Sequence, residues 1–119
     1  MTELIYKICS RILWDDAKTT GVFKGAEIDL SDGYIHFSTA DQVETTVALH
    51  FSGQTDLLLI AVDAALLGVS LKYEPSRGGD LFPHLYGDLS MNAVQWVCPL
   101  PLGNDGRHVF PDLKTGVSK

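Results

Sequence analysis

Several features that mark large protein classes are scarce in this sequence. Its 119 residues include only two cysteines, Cys9 and Cys98, which lie near opposite ends and form no C-x-x-C motif. This spacing excludes a disulfide framework and predicts buried, inert thiols, because a disulfide would require the first and last strands to lie side by side. The longest unbroken apolar run covers residues 57–62, far short of the ~20 residues that a bilayer requires.

Basic residues are also in the minority. Lysine and arginine total 9 against 15 aspartates and glutamates, which gives a net charge of -6. Phosphate neutralisation needs an excess of basic residues, so this balance argues against nucleic acid as a partner. The first residues show no basic region followed by an apolar stretch, so no secretion signal is visible and we expect a cytoplasmic protein without a membrane segment.

What remains is an ordinary globular composition, with 45% hydrophobic and 20% charged residues. Length and composition predict a single domain over residues 1–119. Periodicity and capping signals predict strands over residues 4–9, 34–38, 56–63, 69–74 and 93–98, with Val69, Leu71 and Tyr73 facing inward in the fourth. They predict a helix over 11–19 whose inner side is formed by Ile12, Leu13, Trp14 and Ala17. A second helix follows the capping-box pattern Thr39-Ala40-Asp41-Gln42 and runs to about residue 52, with Val43, Val47, Ala48 and Phe51 facing inward. We expect a loop over 22–32, with a short edge strand within it as the alternative, a loop around 75–92, and a short strand at 107–110. Early helices and late strands indicate an α+β fold.

The first candidate site lies in the predicted strand 34–38. Strand alternation places Ile35 and Phe37 on one face, toward the core, and Tyr34, His36 and Ser38 on the other. A phenol, an imidazole and a hydroxyl on one face offer a stacking ring, a group that titrates near neutral pH and a small donor. The alternative is a half-exposed strand whose outer face is simply solvated.

The second candidate is the aromatic segment 80–87, predicted as a loop. Phe82 and Leu85 would anchor it, while His84 and Tyr86 would face a pocket. Glu74, at the end of a strand, offers a carboxylate that could stabilise a cation. A packed surface loop and a solvated glutamate are the alternatives. A metal held by both histidines with Asp32 or Glu74 has no supporting motif spacing, so we predict no metal site.

Taken together, these segments resemble a family of small, mostly bacterial proteins catalogued as domain of unknown function nine-five-two. The resemblance covers roughly residues 5–111. It depends on Ile5-Tyr6-Lys7-Ile8, on Trp14 with Ala17 and Gly21, on Asp32-Gly33, on Ile35-His36-Phe37-Ser38-Thr39 with Gln42, on residues 57–63, on Glu74 and on Phe82-Pro83-His84-Leu85-Tyr86-Gly87. That family is grouped with the ADP-ribosyltransferase-like fold, which implies a split or curved, mostly antiparallel β-sheet with two N-terminal helices here.

The resemblance also implies a cleft that holds NAD as a substrate. By that analogy His36 would orient the nicotinamide ribose, Tyr34 or Tyr86 would stack on the nicotinamide, and Glu74 would stabilise an oxocarbenium-like centre. His84 would bind a phosphate or act as an acid or base. In the family's fold the first strand carries a histidine or arginine, whereas here only Lys7 is charged between residues 4 and 9.

The sequence therefore predicts a domain that binds a nucleotide-like or other small polar ligand and transfers or hydrolyses an ADP-ribosyl or related group. His36, Glu74 and His84 are the candidate catalytic residues. The candidate ligand-binding residues are Tyr34, Ser38, Thr39, Arg77 and Tyr86. An anionic ligand would need local positive potential from Arg77, Lys72 or backbone amides. The alternative is a non-catalytic binding or interaction module on the same scaffold.

Overall fold

A computed structural model describes residues 3–118, and for Arg77 it describes the backbone but not the side chain. Its first sheet has three antiparallel strands in the order β1 (Leu4–Ser10), β4 (Leu57–Asp63), β8 (Val94–Pro99). The central strand β4 is apolar on both faces because each face packs on its own cluster of buried side chains. A fully buried leucine or isoleucine contributes about 1.5–3 kcal/mol.

The strand order also settles the positions of the two thiols. Cys9 is paired with Leu58 and Cys98 with Leu59, so β4 separates them and they lie on opposite faces of the sheet. Both cysteines are free and buried, as predicted. Burial raises the pKa of the Cys9 thiol to about 12 and also raises that of Cys98, which suits an inert packing role.

A second antiparallel sheet contains most of the candidate site. Its order is β3 (Ile35–His36), β6 (Leu81–Leu85), β5 (Leu71–Pro75). The two sheets meet where Tyr6 and Ser38 exchange backbone hydrogen bonds of 2.8 and 2.9 Å. A two-stranded pair, β2 (Val22–Phe23) with β7 (Leu89–Ser90), completes the strands. The α+β class with antiparallel sheets is confirmed.

Helix α1 (Arg11–Thr20) begins and ends where its capping residues predict. The Ser10 hydroxyl accepts a hydrogen bond from the Leu13 backbone N–H, and Gly21 closes the helix in the left-handed conformation. Trp14 and Ala17 are buried, as expected, but Ile12 is 72% exposed, so the prediction that Ile12 faces the core was wrong. The buried stripe of this helix is narrower than its hydrophobic composition indicates.

Helix α3 (Val43–His50) ends earlier than the predicted limit at residue 52. Val43 and Val47 are buried as expected, whereas Ala48 is exposed. Half of the predicted capping box forms, because the Gln42 side-chain oxygen accepts the Thr39 backbone N–H at 3.0 Å.

The segment predicted as the loop 22–32 contains a further helix, α2 (Glu27–Asp32), besides the short strand β2. It was missed because the residue before it, Ala26, has no side chain that can cap a helix, and because EIDL alternates like a strand. The carboxylate of Asp29 substitutes for the cap by accepting the Ala26 backbone N–H at 2.8 Å. Gly33 then ends the helix in the left-handed conformation.

The segment 80–87, predicted as a loop, is mostly the central strand β6. Proline normally argues against a central strand because it has no N–H to donate. Here the N–H of Phe37 donates to the Pro83 carbonyl at 3.0 Å, and the regular pairing with β3 ends at His36, next to the missing donor. The defect is thus confined to one end of a short strand.

Two smaller predictions also differ from the structure. Val69, expected to face inward in a strand over 69–74, is 95% exposed and belongs to a 3-10 segment, Ala64–Ser70, before β5. Tyr73 is 40% exposed. Instead of a strand over 107–110, the tail has a single bridge between Leu102 and His108. Within residues 3–118, no helix is both long enough and apolar enough to cross a lipid bilayer.

Candidate functional site

The two histidine segments that the sequence singled out lie side by side in the second sheet. His36 on β3 is directly paired with His84 on β6, and the ring centroids are 5.5 Å apart. Paired residues of antiparallel strands point to the same face, so register alone brings these side chains together. Ile35 and Leu85, the next pair, point to the other face and are buried in the core.

Both histidines line a cavity of about 390 Å³ beside the edge strand β1, a volume in the range of small-molecule sites. The sheet, α2 and α3 supply its walls. The polar lining side chains are Lys7, His36, Ser38, Thr46, His50, Ser76 and His84, and the larger apolar ones include Ile8, Ile28, Phe51 and Phe82. The cavity therefore combines apolar walls with a few donors and acceptors, as ligand sites do.

His84 is oriented by a carboxylate on the neighbouring strand. Its Nδ1 lies 2.8 Å from Glu74 Oε1, and the Tyr86 hydroxyl donates to the same oxygen at 2.7 Å. These two hydrogen bonds lower the pKa of Glu74, and the bond from Tyr86 has the larger effect. The same bond raises the pKa of Tyr86 to about 12. Glu74 is thus held ionised behind the histidine.

The other ring nitrogen of His84, Nε2, has no partner among the described residues, and His84 lines the cavity. Among the described residues, no buried side-chain nitrogen or oxygen lacks a hydrogen-bond partner, and the structure gives Nε2 of His84 none. This nitrogen must therefore be accessible, although the residue as a whole is 3% exposed. Because a carboxylate only accepts hydrogen bonds, Nδ1 donates to Glu74 and Nε2 is the ring nitrogen left for a ligand.

His36 is bound quite differently, because both of its ring nitrogens contact carboxylates. Nδ1 lies 2.6 Å from Asp29 Oδ1, and Nε2 lies 2.9 Å from Asp32 Oδ2. The Nδ1–Asp29 contact is a hydrogen bond, whereas the Nε2–Asp32 contact is a close approach that lacks hydrogen-bond alignment. The His36 backbone N–H also donates to Asp29, at 3.1 Å. His36 therefore leaves no ring nitrogen for a ligand unless Asp32, whose side chain is 42% exposed, moves away.

Asp29 links His36 to a buried lysine. Lys7 Nζ lies 2.7 Å from Asp29 Oδ2, and both side chains are almost fully enclosed. Burial alone would raise the pKa of Asp29, but the hydrogen bonds and charges of His36 and Lys7, with the Ala26 N–H, lower it to about 2. Burial lowers the pKa of Lys7, and Asp29 opposes that effect.

Tyr34 packs against both histidines. Its ring is stacked on His84 at 4.1 Å between centroids and is tilted against His36 at 4.6 Å and Tyr86 at 5.2 Å. These contacts are typical of offset aromatic packing. Tyr34 thus fixes the position of the His84 ring from the side away from the cavity, because Tyr34 and Tyr86 are not among the residues that line it.

The structure brings together most of the predicted site residues but gives them unequal positions. His36, Ser38 and His84 line the cavity, and Tyr34, Glu74 and Tyr86 contact the histidines from outside it. Ser38 is buried and its hydroxyl is bonded to that of Thr46 at 2.9 Å.

Thr39 and Arg77 are the remaining ligand-binding residues that the sequence predicts. Thr39 lines a different hollow, with Tyr6 and Trp96 among its neighbours. The Arg77 side chain lies outside the described part of the chain. No group of three or more His, Cys, Asp or Glu side chains among the described residues could hold a metal ion.

Sequence reasoning missed Lys7, Asp29 and His50. Lys7 had a usable signal, because it interrupts a strand that is apolar on both faces, and a buried charge there needs a partner. Asp29 lay in the unrecognised helix α2. Gly25 supports its position, since a Cβ there would lie 2.7 Å from the Cβ of Asp29. His50, at the end of α3, had no motif to mark it.

These features define a small α+β domain whose antiparallel sheets border a histidine-lined cavity. The chain belongs to the family described as protein of unknown function (DUF952), whose profile matches residues 8–97. No curated protein matches the chain.

Solved structures of the protein CC0527 from Caulobacter crescentus are similar to this chain. Its crystal structure has a TM-score of 0.85 at 50% identity, covering 88% of this chain and 92% of that one. A crystal structure of a double mutant of CC0527 gives 0.84 at 48% identity, with 88% and 92% covered. The solution NMR structure gives 0.79 at 50% identity, with 87% and 90% covered.

Proposed function

We propose that this protein binds NAD or a similar ADP-ribose-containing nucleotide in the histidine cavity and transfers the ADP-ribosyl group to water or another hydroxyl. The observation that carries the proposal is His84, which lines a cavity of about 390 Å³ and whose Nδ1 is held by the ionised Glu74 while Nε2 has no partner among the described residues. A carboxylate–imidazole pair beside a ligand-sized space is a typical arrangement for acid–base chemistry. The family resemblance supports NAD as the substrate, and the cytoplasm stays the predicted location.

In the proposed reaction, His84 Nε2 takes a proton from the attacking hydroxyl. The hydroxyl oxygen forms a bond to C1′ of the ribose, the C1′–N bond to nicotinamide breaks, and nicotinamide leaves with that electron pair. Glu74 then stabilises the imidazolium through Nδ1–H, as the carboxylate does in other such pairs. Glu74 does not line the cavity, so it acts through His84 as a positioning residue rather than directly at the oxocarbenium-like centre.

The remaining candidates support the pocket in different ways. Tyr34 stacks on His84 and thereby restricts the ring to one orientation. Tyr86 anchors Glu74. His36 shapes the cavity wall while Asp29 and Asp32 hold its nitrogens, which argues against a direct hydrogen bond from His36 to the ribose. We keep Thr39 and Arg77 as sequence predictions without a role in this mechanism.

A second candidate function is a non-catalytic module that binds the same class of ligand. The observation that favours it is the closed network Lys7–Asp29–His36–Asp32, in which each member pairs with its neighbour at 2.6 to 2.9 Å. A network of this kind holds the wall of a pocket rigid and requires no catalytic reaction. Binding of NAD or ADP-ribose with no turnover would identify this function.

The test combines binding and turnover. Calorimetric titration with ADP-ribose and chromatographic detection of nicotinamide released from NAD are measured for the wild type, for His84→Gln and for His108→Gln. His108 is the matched control because its ring bonds the Gln54 carbonyl, away from the cavity. We expect binding and nicotinamide release in the wild type and the control, and a loss of release of about 100-fold or more in His84→Gln.

Binding without release would support the non-catalytic module instead. No binding of either nucleotide to the wild type would contradict both functions. Equal release by the wild type and His84→Gln would remove His84 from the mechanism.

A further inference from the structure

The charge of the cavity lining is opposite to that of the whole protein. The chain has a net charge of -6 and 15 acidic side chains. Among the described residues that line the cavity there is no aspartate or glutamate, whereas Lys7 and three of the four histidines are present. Asp29, Asp32 and Glu74 contact these side chains but do not line the cavity themselves, so the lining presents hydrogen-bond donors, which favour an anion.

Lys7 is the centre of this preference. Its ammonium group is almost fully enclosed, with 6% of the side chain exposed, and it carries three donors. The structure gives Nζ one partner among the described residues, Asp29 at 2.7 Å. Asp29 offsets the charge and fixes the ammonium position, and the other donors of Lys7 remain for a cavity ligand. Charge-assisted hydrogen bonds from such a preorganised ammonium are among the stronger polar contacts.

The lining contains a second nitrogen-bearing side chain, on a different element, that can donate a hydrogen bond. His50, at the last turn of α3, lines the cavity together with Lys7 from β1 and Ser76. Phosphate has three oxygens that accept several charge-assisted hydrogen bonds at once, so several donors on separate walls suit it better than a single neutral polar group would.

We propose that Lys7, assisted by His50, binds the 5′-phosphate attached to the reacting ribose, so that the substrate class is phosphoribosyl compounds rather than free nucleosides. This inference rests on the proposed function for the position of the ribose beside His84. It assigns Lys7 as a binding residue, separate from the acid–base pair of His84 and Glu74. Both a mononucleotide and one half of NAD present this phosphate.

Two matched probes isolate the phosphate. Nicotinamide riboside and nicotinamide mononucleotide differ only by the 5′-phosphate, and each is titrated calorimetrically into the full-length protein. Hydrogen bonds to a charged group contribute enough to predict about tenfold tighter binding of the mononucleotide or more. Equal affinities, or no binding of either probe, would overturn the proposal.

The variants test whether Lys7 is the cause. Lys7→Met combined with Asp29→Asn removes both buried charges together, which avoids leaving one of them unpaired. We expect the affinity ratio of the two probes to fall to about one in this double variant, by loss of the same charge-assisted bonds. Lys24→Met, which removes an exposed lysine paired with Asp88, is the control and should keep the wild-type ratio. An unchanged ratio in the double variant would overturn the role of Lys7.

A further variant keeps the proposal testable if the double variant does not fold. His50→Gln alters an exposed residue, so the fold is retained, and the ratio should fall part of the way. If circular dichroism shows that the double variant is unfolded, an unchanged affinity ratio in His50→Gln overturns the proposal. Nicotinamide release from NAD is measured on the same samples. If the wild type releases nicotinamide but binds the two probes equally, the proposed function holds and the phosphate subsite does not. If it binds the mononucleotide more tightly but releases no nicotinamide, the phosphate subsite holds and the proposed reaction does not.

Discussion

The two histidines of the cavity are neighbours across one pair of strands, yet their surroundings differ. His36 belongs to a buried network with Asp29 and Lys7, and carboxylates hold both of its nitrogens. His84 has one carboxylate, the partly exposed Glu74, and leaves Nε2 for the cavity. Two identical side chains on paired strands thus differ in what remains free on the ring. His36 contacts carboxylates through both nitrogens, whereas Nε2 of His84 has no partner among the residues that the structure describes, which is why we propose His84 and not His36 as the acid–base group.

Among substitutions that alter the surroundings of one histidine and not the other, the largest expected effect is the loss of stability on changing Asp29. Asp29→Ala leaves Lys7 as an unpaired buried charge and His36 without its Nδ1 partner, so we expect a loss of about 3–5 kcal/mol in the free energy of unfolding. Urea denaturation followed by circular dichroism measures it. Asp32→Ala removes the more exposed partner of His36 and should cost at most about 1 kcal/mol. Equal losses in the two variants would contradict the account.

The same network predicts a pH dependence of stability. The pKa of Asp29 falls from an ordinary 3.8 to about 2 on folding, so its contribution is complete above the unfolded value and is lost as pH falls through the folded value. This shift corresponds to about 2 kcal/mol, lost between about pH 5 and pH 1. The difference between wild type and Asp29→Asn in urea denaturation should therefore shrink over that interval. A difference that is constant with pH would disprove the assignment.

Tyr86→Phe tests the more exposed network, where the expected effect is smallest. Loss of the Tyr86 hydroxyl removes the main cause of the low pKa of Glu74, so that pKa should rise while stability changes little. If Glu74 must be ionised to hold His84, the acid limb of the NAD-cleavage profile moves to higher pH. Tyr73→Phe, a change on the opposite face of β5, is the control and should leave the profile in place. Identical profiles in the wild type and Tyr86→Phe would show that the hydroxyl does not tune Glu74.

Much of the fold follows from local patterns that the structure confirms. The two apolar faces of β4, the capping of α1 by Ser10 and Gly21, and the inward side chains of Ile35 and Phe37 are each set by neighbours in the sequence. Sequence alternation also put His36 on the face opposite to Ile35.

The rest depended on contacts between distant segments. Strand β6 contains Pro83, which has no N–H to donate. The strand forms because β3 and β5 pair with it on both sides and the Phe37 N–H donates to the Pro83 carbonyl. Helix α2 lacks a capping side chain before it and is held by Asp29, whose other contacts are with His36 and Lys7. The charge of Lys7 in an apolar strand indicates that a buried partner is needed, but no local pattern identifies that partner as Asp29 on α2, which is also bonded to His36 on β3.

The most direct test is to observe the imidazole nitrogens of the two histidines by long-range ¹H–¹⁵N correlation NMR on ¹⁵N-histidine-labelled protein, with and without ADP-ribose. The account predicts that the Nε2 resonance of His84 moves as the ligand saturates, while both ring nitrogens of His36 keep their positions because Asp29 and Asp32 hold them. His108→Gln removes one of the resonances outside the cavity and assists assignment. A His84 resonance that stays fixed while His36 moves, or no change at either ring, would contradict it.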